Sequence, residues 1–173
     1  MIIVNIVGLP RIGVSTLCLR VRFALEAMGI SVNIVAPKTL RAVTQFENDV
    51  RAGDIDADVV LIDNHGYTKH AIRTESDITL FDRASIRPDF SILVTAEASE
   101  YLKLMGRSEN ATVVIKRGTS AMIQKYRSCD IKHWGSERLH ILSVNAADGR
   151  LYAAGNVKRI ILKELARATD TIA

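Results

Sequence analysis

The sequence predicts an α/β fold, a three-layer sandwich in which helices cover both faces of a five-stranded parallel sheet. Short β-branched segments alternate with amphipathic helical segments along the 173 residues. This alternation is typical of β-α-β units, whose strands run parallel. One strand segment, DVVLID, is a nearly continuous apolar run, as in parallel strands buried on both faces.

Five segments have the length and the β-branched, apolar composition of strands, and glycine or proline punctuates several of them. They are IIVNIVG (2–8), SVNIVA (31–36), DVVLID (58–63), DFSILVTA (89–96) and RLHILSVN (138–145).

Three helices are predicted between and after these strands. The first has apolar residues at helical spacing from Leu17 to Met28 and ends at Gly29. The second, over 39–52, has a polar face and ends before Gly53. The last runs from about 151 to 168, with apolar residues on one face.

The length suits one domain over 1–173, interrupted by polar insertions at about 64–88 and 106–137. Both insertions follow the carboxyl end of a predicted strand. Open α/β sheets bind their ligands beyond these ends, so we expect the functional site there.

The composition argues against several classes of function. The net charge of +4 comes from scattered basic residues, and aromatic residues make up only 5%, so no nucleic-acid partner is expected. Alternatively, the arginines among these basic residues converge on phosphates in a cleft. No apolar run approaches the roughly 18 residues of a membrane span, and MIIVNIVG reads as a strand rather than a signal peptide. Two cysteines without metal-ligand spacing favour a reduced, cytoplasmic protein.

The stretch GLPRIGVST, from Gly8 to Thr16, has the glycine spacing of a phosphate-binding P-loop, G-x-x-x-x-G-K-[ST], with Val14 in place of the lysine. It lies directly after the first strand and opens the first helix. Backbone amides and the helix N-terminus bind anions whatever side chain stands at position 14. The predicted nucleotide-binding residues are Gly8, Pro10, Arg11, Ile12, Gly13, Val14, Ser15 and Thr16.

Because Val14 replaces the P-loop lysine, the loop lacks an ammonium group, and the source of positive charge has alternative interpretations. Arg11 within the loop, or Lys38 after the second strand, can supply the charge. Alternatively, the stretch is only a strand-to-helix turn that Ser15 caps.

Two residues are predicted to hold Mg²⁺, Ser15 through its hydroxyl and Asp63 through its carboxylate. Asp63 closes the apolar strand VVLID, where P-loop proteins place an aspartate that holds the metal. Alternatively, Asp63 starts a turn with Asn64 and Gly66.

Several segments resemble the adenylate-kinase-like nucleoside monophosphate kinases, especially the archaeal-type adenylate kinases. The loop GLPRIGVST is similar to their G-x-P-G-x-G-x-[ST]-T, LIDNH to [VI]-D-T-H, and IRT (72–74) to the R-T that follows. TLRA (39–42) resembles their [ML]-L-R-A segment. The chain departs from the family at Val14 and in the lid, where 106–137 lacks the family's R-x-R spacing.

This resemblance implies a P-loop fold and in-line transfer of the γ-phosphate of ATP to a nucleoside or deoxynucleoside monophosphate, with Mg²⁺. Arg41 and Arg73 would grip the phosphate of the acceptor, Arg11 would replace the lysine, and Asp63 would organise the metal. The acceptor base and the oligomeric state are not indicated.

Two other functions are compatible with the sequence. One is a catalytically inactive P-loop protein that retains nucleotide binding or serves interaction. The other is a partition-type ATPase, since GVSTLCLRVRFALEAMGISVNIV resembles the loop and first helix of that family. That family needs a lysine where this chain has Leu9, so it ranks below the other two.

Overall fold

The computed structural model describes residues 1–8, 12–65, 85–104, 106, 120–121, 123–124, 139–144 and 149–170. Its strands are β1 (Ile2–Gly8), β2 (Val32–Val35), β3 (Val59–His65), β4 (Phe90–Thr95) and β5 (Leu139–Ser143). Its helices are α1 (Val14–Glu26), α2 (Leu40–Ala52), α3 (Ala98–Leu104) and α4 (Gly149–Asp170).

The five strands form one all-parallel sheet in the order β2-β3-β1-β4-β5. The predicted α/β class and the five-stranded parallel sheet are confirmed, and the arrangement is Rossmann-like. β1 is central, and its last residue, Gly8, lies opposite His65 of β3 and Val94 of β4. Gly8 therefore ends β1 at the middle of the sheet.

Helices pack on both faces of the sheet. Alternate residues of β3 enter two separate hydrophobic clusters: Val59 and Leu61 in one, Val60 and Ile62 in the other. The first and larger cluster includes the buried residues of α1 and α4. The second includes Val43 and Phe46 of α2. Apolar burial of this kind, rather than polar contacts, is the dominant favourable contribution to folding.

Two aspartates fasten strands at the amino edge of the sheet. Oδ2 of Asp58 accepts hydrogen bonds from the backbone N–H and the hydroxyl of Ser31, at 2.8 and 2.7 Å, which joins the start of β2 to the start of β3. Oδ2 of Asp89 accepts from the N–H of Ile3 at 2.7 Å and joins β4 to β1. The carboxyl edge, where ligands bind in such folds, lies at the opposite end of the strands.

The elements differ from the predicted ones in three places. β3 continues to His65 rather than ending at residue 63, so the first two residues of the predicted 64–88 insertion belong to the sheet. α1 ends at Glu26 rather than at the predicted Gly29, and α3 was not predicted. Residues 66–84 and most of 106–137 lie outside the described residues. None of the helices in the described part of the chain combines the length and apolar character that a membrane span requires.

Candidate functional site

The start of α1, from Gly13 on, has the backbone form of a helix N-terminus that is open to an anion. Gly13 is the N-cap of α1, with φ 96° and ψ 36°, a left-handed conformation that glycine adopts without strain. No side chain caps the helix. The alternative in which Ser15 caps α1 is therefore wrong, because Ser15 is already the second residue of the helix.

Gly8 is required by close packing. A Cβ atom at this position would lie 2.5 Å from Cγ2 of Val14 and 2.9 Å from Cγ2 of Ile12. Both side chains are buried, each with 3% of its surface exposed. Ile12 and Val14 thus fold the end of the loop down onto the end of β1, and Val14 belongs to the core rather than to the ligand-facing surface.

The first turn of α1 presents backbone donors without helical acceptors. The first helical hydrogen bond runs from the N–H of Leu17 to the carbonyl of Gly13, at 2.9 Å. The N–H groups of residues 14–16 precede it, and helix geometry gives them no partner within the helix. Ser15 is exposed and Thr16 is half-buried in this turn. The arrangement suits a phosphate, which accepts several N–H bonds and carries negative charge.

Asp63 lies beside this turn. It is 6% exposed, stands opposite Ile6 in β1, and alternation places it on the same face of β3 as Leu61, the face that packs on α1. Burial raises the pKa of the Cys18 thiol, and the Asp63 carboxylate raises that pKa further. Cys18 follows Ser15 by three residues, so the two are neighbours on the helix surface. Asp63 and Ser15 therefore both lie near Cys18.

The donor set fits magnesium better than a transition metal. No group of three or more His, Cys, Asp or Glu side chains converges within the described residues. Mg²⁺ is typically bound by one or two protein oxygens, and phosphates and water complete its octahedron. Asp63 in β3 and Ser15 in the first turn of α1 carry oxygens of that kind.

The predicted arginines are described only in part. Arg41 is exposed in the first turn of α2, directly after the N-cap Thr39 and Leu40. This turn contains no acidic residue, so the guanidinium and the positive end of the helix dipole act in the same direction. Lys38 is also exposed and precedes the same helix. Pro10, Arg11 and Arg73 lie outside the described residues.

Sequence reasoning missed four buried polar side chains at the heart of the sheet. They are Asn5, Asn64, Ser91 and Thr95. Asn5 interrupts the apolar strand IIVNIVG, and Ser91 interrupts DFSILVTA. A polar residue within an otherwise apolar central strand was the signal that could have found them, since such a group must be hydrogen-bonded or used.

No protein-family model matches the chain, and no curated protein matches it. Among solved structures, the crystal structure of APE1195 aligns with 95% of this chain and 96% of its own, with a TM-score of 0.48 and 14% sequence identity. A likeness of this degree says nothing about activity.

Proposed function

We propose that this protein is a cytoplasmic nucleoside or deoxynucleoside monophosphate kinase that transfers the γ-phosphate of ATP to a monophosphate acceptor. One observation carries the proposal. The N-terminus of α1, which begins after Gly13 and has no side-chain cap, follows the central strand β1, and the adjacent strand β3 carries the buried Asp63. Anion binding and metal binding are thereby supported side by side.

The strand order agrees with this proposal. β1, which leads into the loop, lies between β3, which carries Asp63, and β4. The P-loop fold that the sequence resemblance implies has the phosphate loop and the metal-binding aspartate on neighbouring parallel strands. The same order is also compatible with other Rossmann-like proteins, so the loop and Asp63 carry the weight of the proposal.

Each part of the site has a role in the proposed transfer. The amides at the front of α1 hold the β- and γ-phosphates of the donor and keep the reacting phosphorus in line with the acceptor oxygen. Asp63 and Ser15 hold Mg²⁺, which when bound neutralises charge on the phosphates. Arg41 at the positive end of α2 attracts the acceptor phosphate, because a guanidinium pairs well with a dianion.

An acceptor screen tests the proposal. The protein is incubated with ATP and Mg²⁺ and with each ribo- and deoxyribonucleoside monophosphate in turn, and diphosphate products are separated and quantified. We expect ADP and the acceptor diphosphate to form in equal amounts. ADP formation that is independent of acceptor, or the absence of any product, would contradict the kinase proposal.

Two matched variants sharpen the screen. Asp63→Asn keeps the shape of the side chain and removes its charge, and we expect it to reduce turnover at least 100-fold, about 2.7 kcal/mol of transition-state stabilisation. Asp54→Asn, an exposed carboxylate just after α2, is the control and should turn over at the wild-type rate. Arg41→Ala should raise the KM for the acceptor more than the KM for ATP, whereas Arg159→Ala in α4 should change neither.

One observation favours a second function, a nucleotide-binding protein without catalysis. At the position where P-loop enzymes carry a lysine, Val14 is buried against Gly8 and offers no charge. Such a protein would still show a rise in Tm with ATP, because any ligand that binds only the folded state stabilises it. Binding of ATP without turnover in the presence of every acceptor would favour this function over the kinase.

A further inference from the structure

Three buried polar side chains form a hydrogen-bonded row across the middle of the sheet. Nδ2 of Asn64 in β3 donates to Oδ1 of Asn5 in β1 at 3.0 Å. Nδ2 of Asn5 then donates to Oγ of Ser91 in β4 at 3.1 Å. Strand alternation places this row on the face opposite Asp63 and α1, the face on which α2 packs.

The row engages the nitrogen of the Asn64 amide and leaves its oxygen outside the row. Asn5 uses its oxygen for Asn64 and its nitrogen for Ser91, so the Asn64 nitrogen is committed to Asn5. Oδ1 of Asn64 takes no part in the row and can accept a hydrogen bond from another group. Asn64 is the last residue but one of β3, so this acceptor lies at the carboxyl edge of the sheet.

Thr95 provides a second, independent sign on the same face. It is the last residue of β4 and alternates with Ser91 onto the face of the polar row. Its side chain is 1% exposed, yet Oγ1 has no hydrogen-bond partner. Native proteins rarely leave a buried hydroxyl unpaired, because the group loses its hydrogen bonds to water and gains none.

The two groups define the chemistry of what they can bind. Both are neutral; Asn64 accepts a hydrogen bond, and a threonine hydroxyl both donates and accepts. They stand on strands separated by β1, and Thr95 lies two residues beyond the position level with Asn64, so their Cα atoms are roughly 12 Å apart at the usual strand spacing and rise. A single inorganic ion does not bridge that span, whereas a nucleoside with N–H and O–H groups does.

We propose that Asn64 and Thr95 form the subsite for the nucleoside part of the acceptor, with Asn5 and Ser91 as positioning residues. This rests on the proposed function and assigns the two faces different tasks. The α1 face binds phosphates and metal through amides and Asp63. The opposite face binds the uncharged base or sugar, with an N–H or O–H of the ligand donating to Oδ1 of Asn64.

The decisive variant is Thr95→Val, which preserves side-chain shape and removes only the hydroxyl. Affinities for AMP, CMP, GMP, UMP and dTMP are measured by titration calorimetry. Inorganic tripolyphosphate with Mg²⁺ serves as a second probe, which tests only phosphate binding at the amides of residues 14–16. For the acceptor that the wild type binds, we expect about a tenfold loss of affinity in Thr95→Val. Tripolyphosphate affinity should not change, and Thr95→Ser, which keeps the hydroxyl, should bind the monophosphate like the wild type.

A positioning variant separates the row from general stability. Ser91→Ala removes the acceptor of the Asn5 amide while leaving Asn64 and Thr95 in place. It should weaken monophosphate binding severalfold, again without effect on tripolyphosphate. Without ligand, Thr95→Val should have a Tm equal to or above that of the wild type, which excludes misfolding as the reason for weaker binding.

The outcomes distinguish this inference from the kinase proposal. Unchanged monophosphate affinity in Thr95→Val, or a wild type that binds no monophosphate at millimolar concentration, overturns the inference. Selective weakening of monophosphate binding supports it even where the acceptor screen shows no turnover, in which case only the kinase proposal fails. Turnover with unaltered affinity in Thr95→Val overturns the inference alone.

Discussion

Gly8 is the residue whose replacement tests the geometry of the loop most directly. A Cβ atom there would meet branched side chains at 2.5 and 2.9 Å and the carbonyl oxygen of Val94 at 3.3 Å. The branched neighbours, Val14 and Ile12, have restricted χ1 rotamers and cannot easily move aside. We therefore expect Gly8→Ala to destabilise the protein by about 1–3 kcal/mol, measured by urea unfolding.

The control for this substitution is Gly155→Ala. Gly155 is exposed within α4, and a Cβ atom there meets nothing within 4 Å. Alanine in a helix interior is more favourable than glycine, so Gly155→Ala should stabilise the protein by roughly 0.5–1 kcal/mol. If Gly8→Ala were neutral or stabilising, as expected for Gly155→Ala, Ile12 and Val14 would not be packed over Gly8.

At the scale of single residues, the sequence indicated which residues are of interest better than it indicated their burial or their hydrogen-bond partners. The glycine spacing located Gly8 and Gly13, and the end of an apolar run located Asp63. It did not indicate that Val14 is buried, because that depends on contact with Gly8 across the turn. Nor did it reveal the partners of Asn5, since Asn64 and Ser91 are distant in sequence and meet only through strand pairing.

The N-cap of α2 offers a prediction at the scale of an element. Oγ1 of Thr39 accepts a hydrogen bond from the N–H of Ala42 at 3.2 Å, which satisfies one donor of the first turn. Thr39→Ala should cost about 1 kcal/mol in the free energy of unfolding, and Thr39→Ser should restore most of it. Equal stability of all three proteins in urea would mean that the cap contributes nothing.

The hydrogen bonds between Ser31 and Asp58, which join β2 to β3, predict that the stability of the protein depends on pH. Hydrogen bonds from the hydroxyl and then the backbone N–H of Ser31 lower the pKa of Asp58. A lowered folded-state pKa contributes stability above the unfolded-state value of about 3.9, and this contribution is lost as the pH falls through the folded-state pKa. The stability gap between wild type and Asp58→Asn should thus be constant from pH 7 to 5 and narrow below about pH 4.

Urea unfolding at pH 7, 5, 4 and 3 measures this gap. Ser31→Ala serves as the matched variant, because it removes the main donor and leaves the carboxylate in place. When Ser31→Ala is present in both proteins, the stability difference caused by Asp58→Asn should depend less on pH. A difference that stays constant down to pH 3 without Ser31→Ala would contradict the proposed role of the Ser31–Asp58 hydrogen bonds.

Elements were predicted well where periodicity and apolar composition agreed. The predicted first strand, 2–8, matches β1, and the predicted 39–52 helix matches α2 within one residue at its start. β3 was cut short at residue 63 because the polar residues Asn64 and His65 resemble a turn. Pairing with Val7 and Gly8 of β1 overrides that local signal and extends the strand. Helix α3 has only seven residues, too few for a clear periodic pattern.

At the scale of the whole molecule, burial is concentrated in the central strands. Every residue of β1 and β4 is buried, whereas β5 at one edge of the sheet has a single buried residue. Native-state hydrogen exchange should therefore show the slowest amides in β1 and β4, exchanging through global unfolding. Amides of β2 and β5 should exchange faster through local opening. Comparable protection in β5 would mean that this edge is covered in solution.

The strand order is the feature that composition and periodicity could not supply. These patterns predict how many strands exist and that they run parallel, but they do not show that β1 pairs with β4, 86 residues further along the chain. The position of the site follows from that order, since Gly8, Asp63 and Thr95 come together only when β3, β1 and β4 are neighbours. The sequence singled out Gly8 and Asp63 but not Thr95, and the strand order that brings them to neighbouring strands comes from the fold.

The last prediction concerns the amides at the front of α1, on which phosphate binding depends. Tripolyphosphate with Mg²⁺ should slow hydrogen exchange of residues 14–16, because their N–H groups have no helical acceptor until an anion provides one. At 100 times its Kd the ligand should stabilise the protein by about 2.7 kcal/mol. Sodium chloride at matched ionic strength controls for screening, and Asp63→Asn should lose the Mg²⁺-dependent part of the effect. If the ligand slowed hydrogen exchange only in other regions and left residues 14–16 unchanged, these amides would not bind phosphate. The proposed nucleotide binding at this loop would then have no basis.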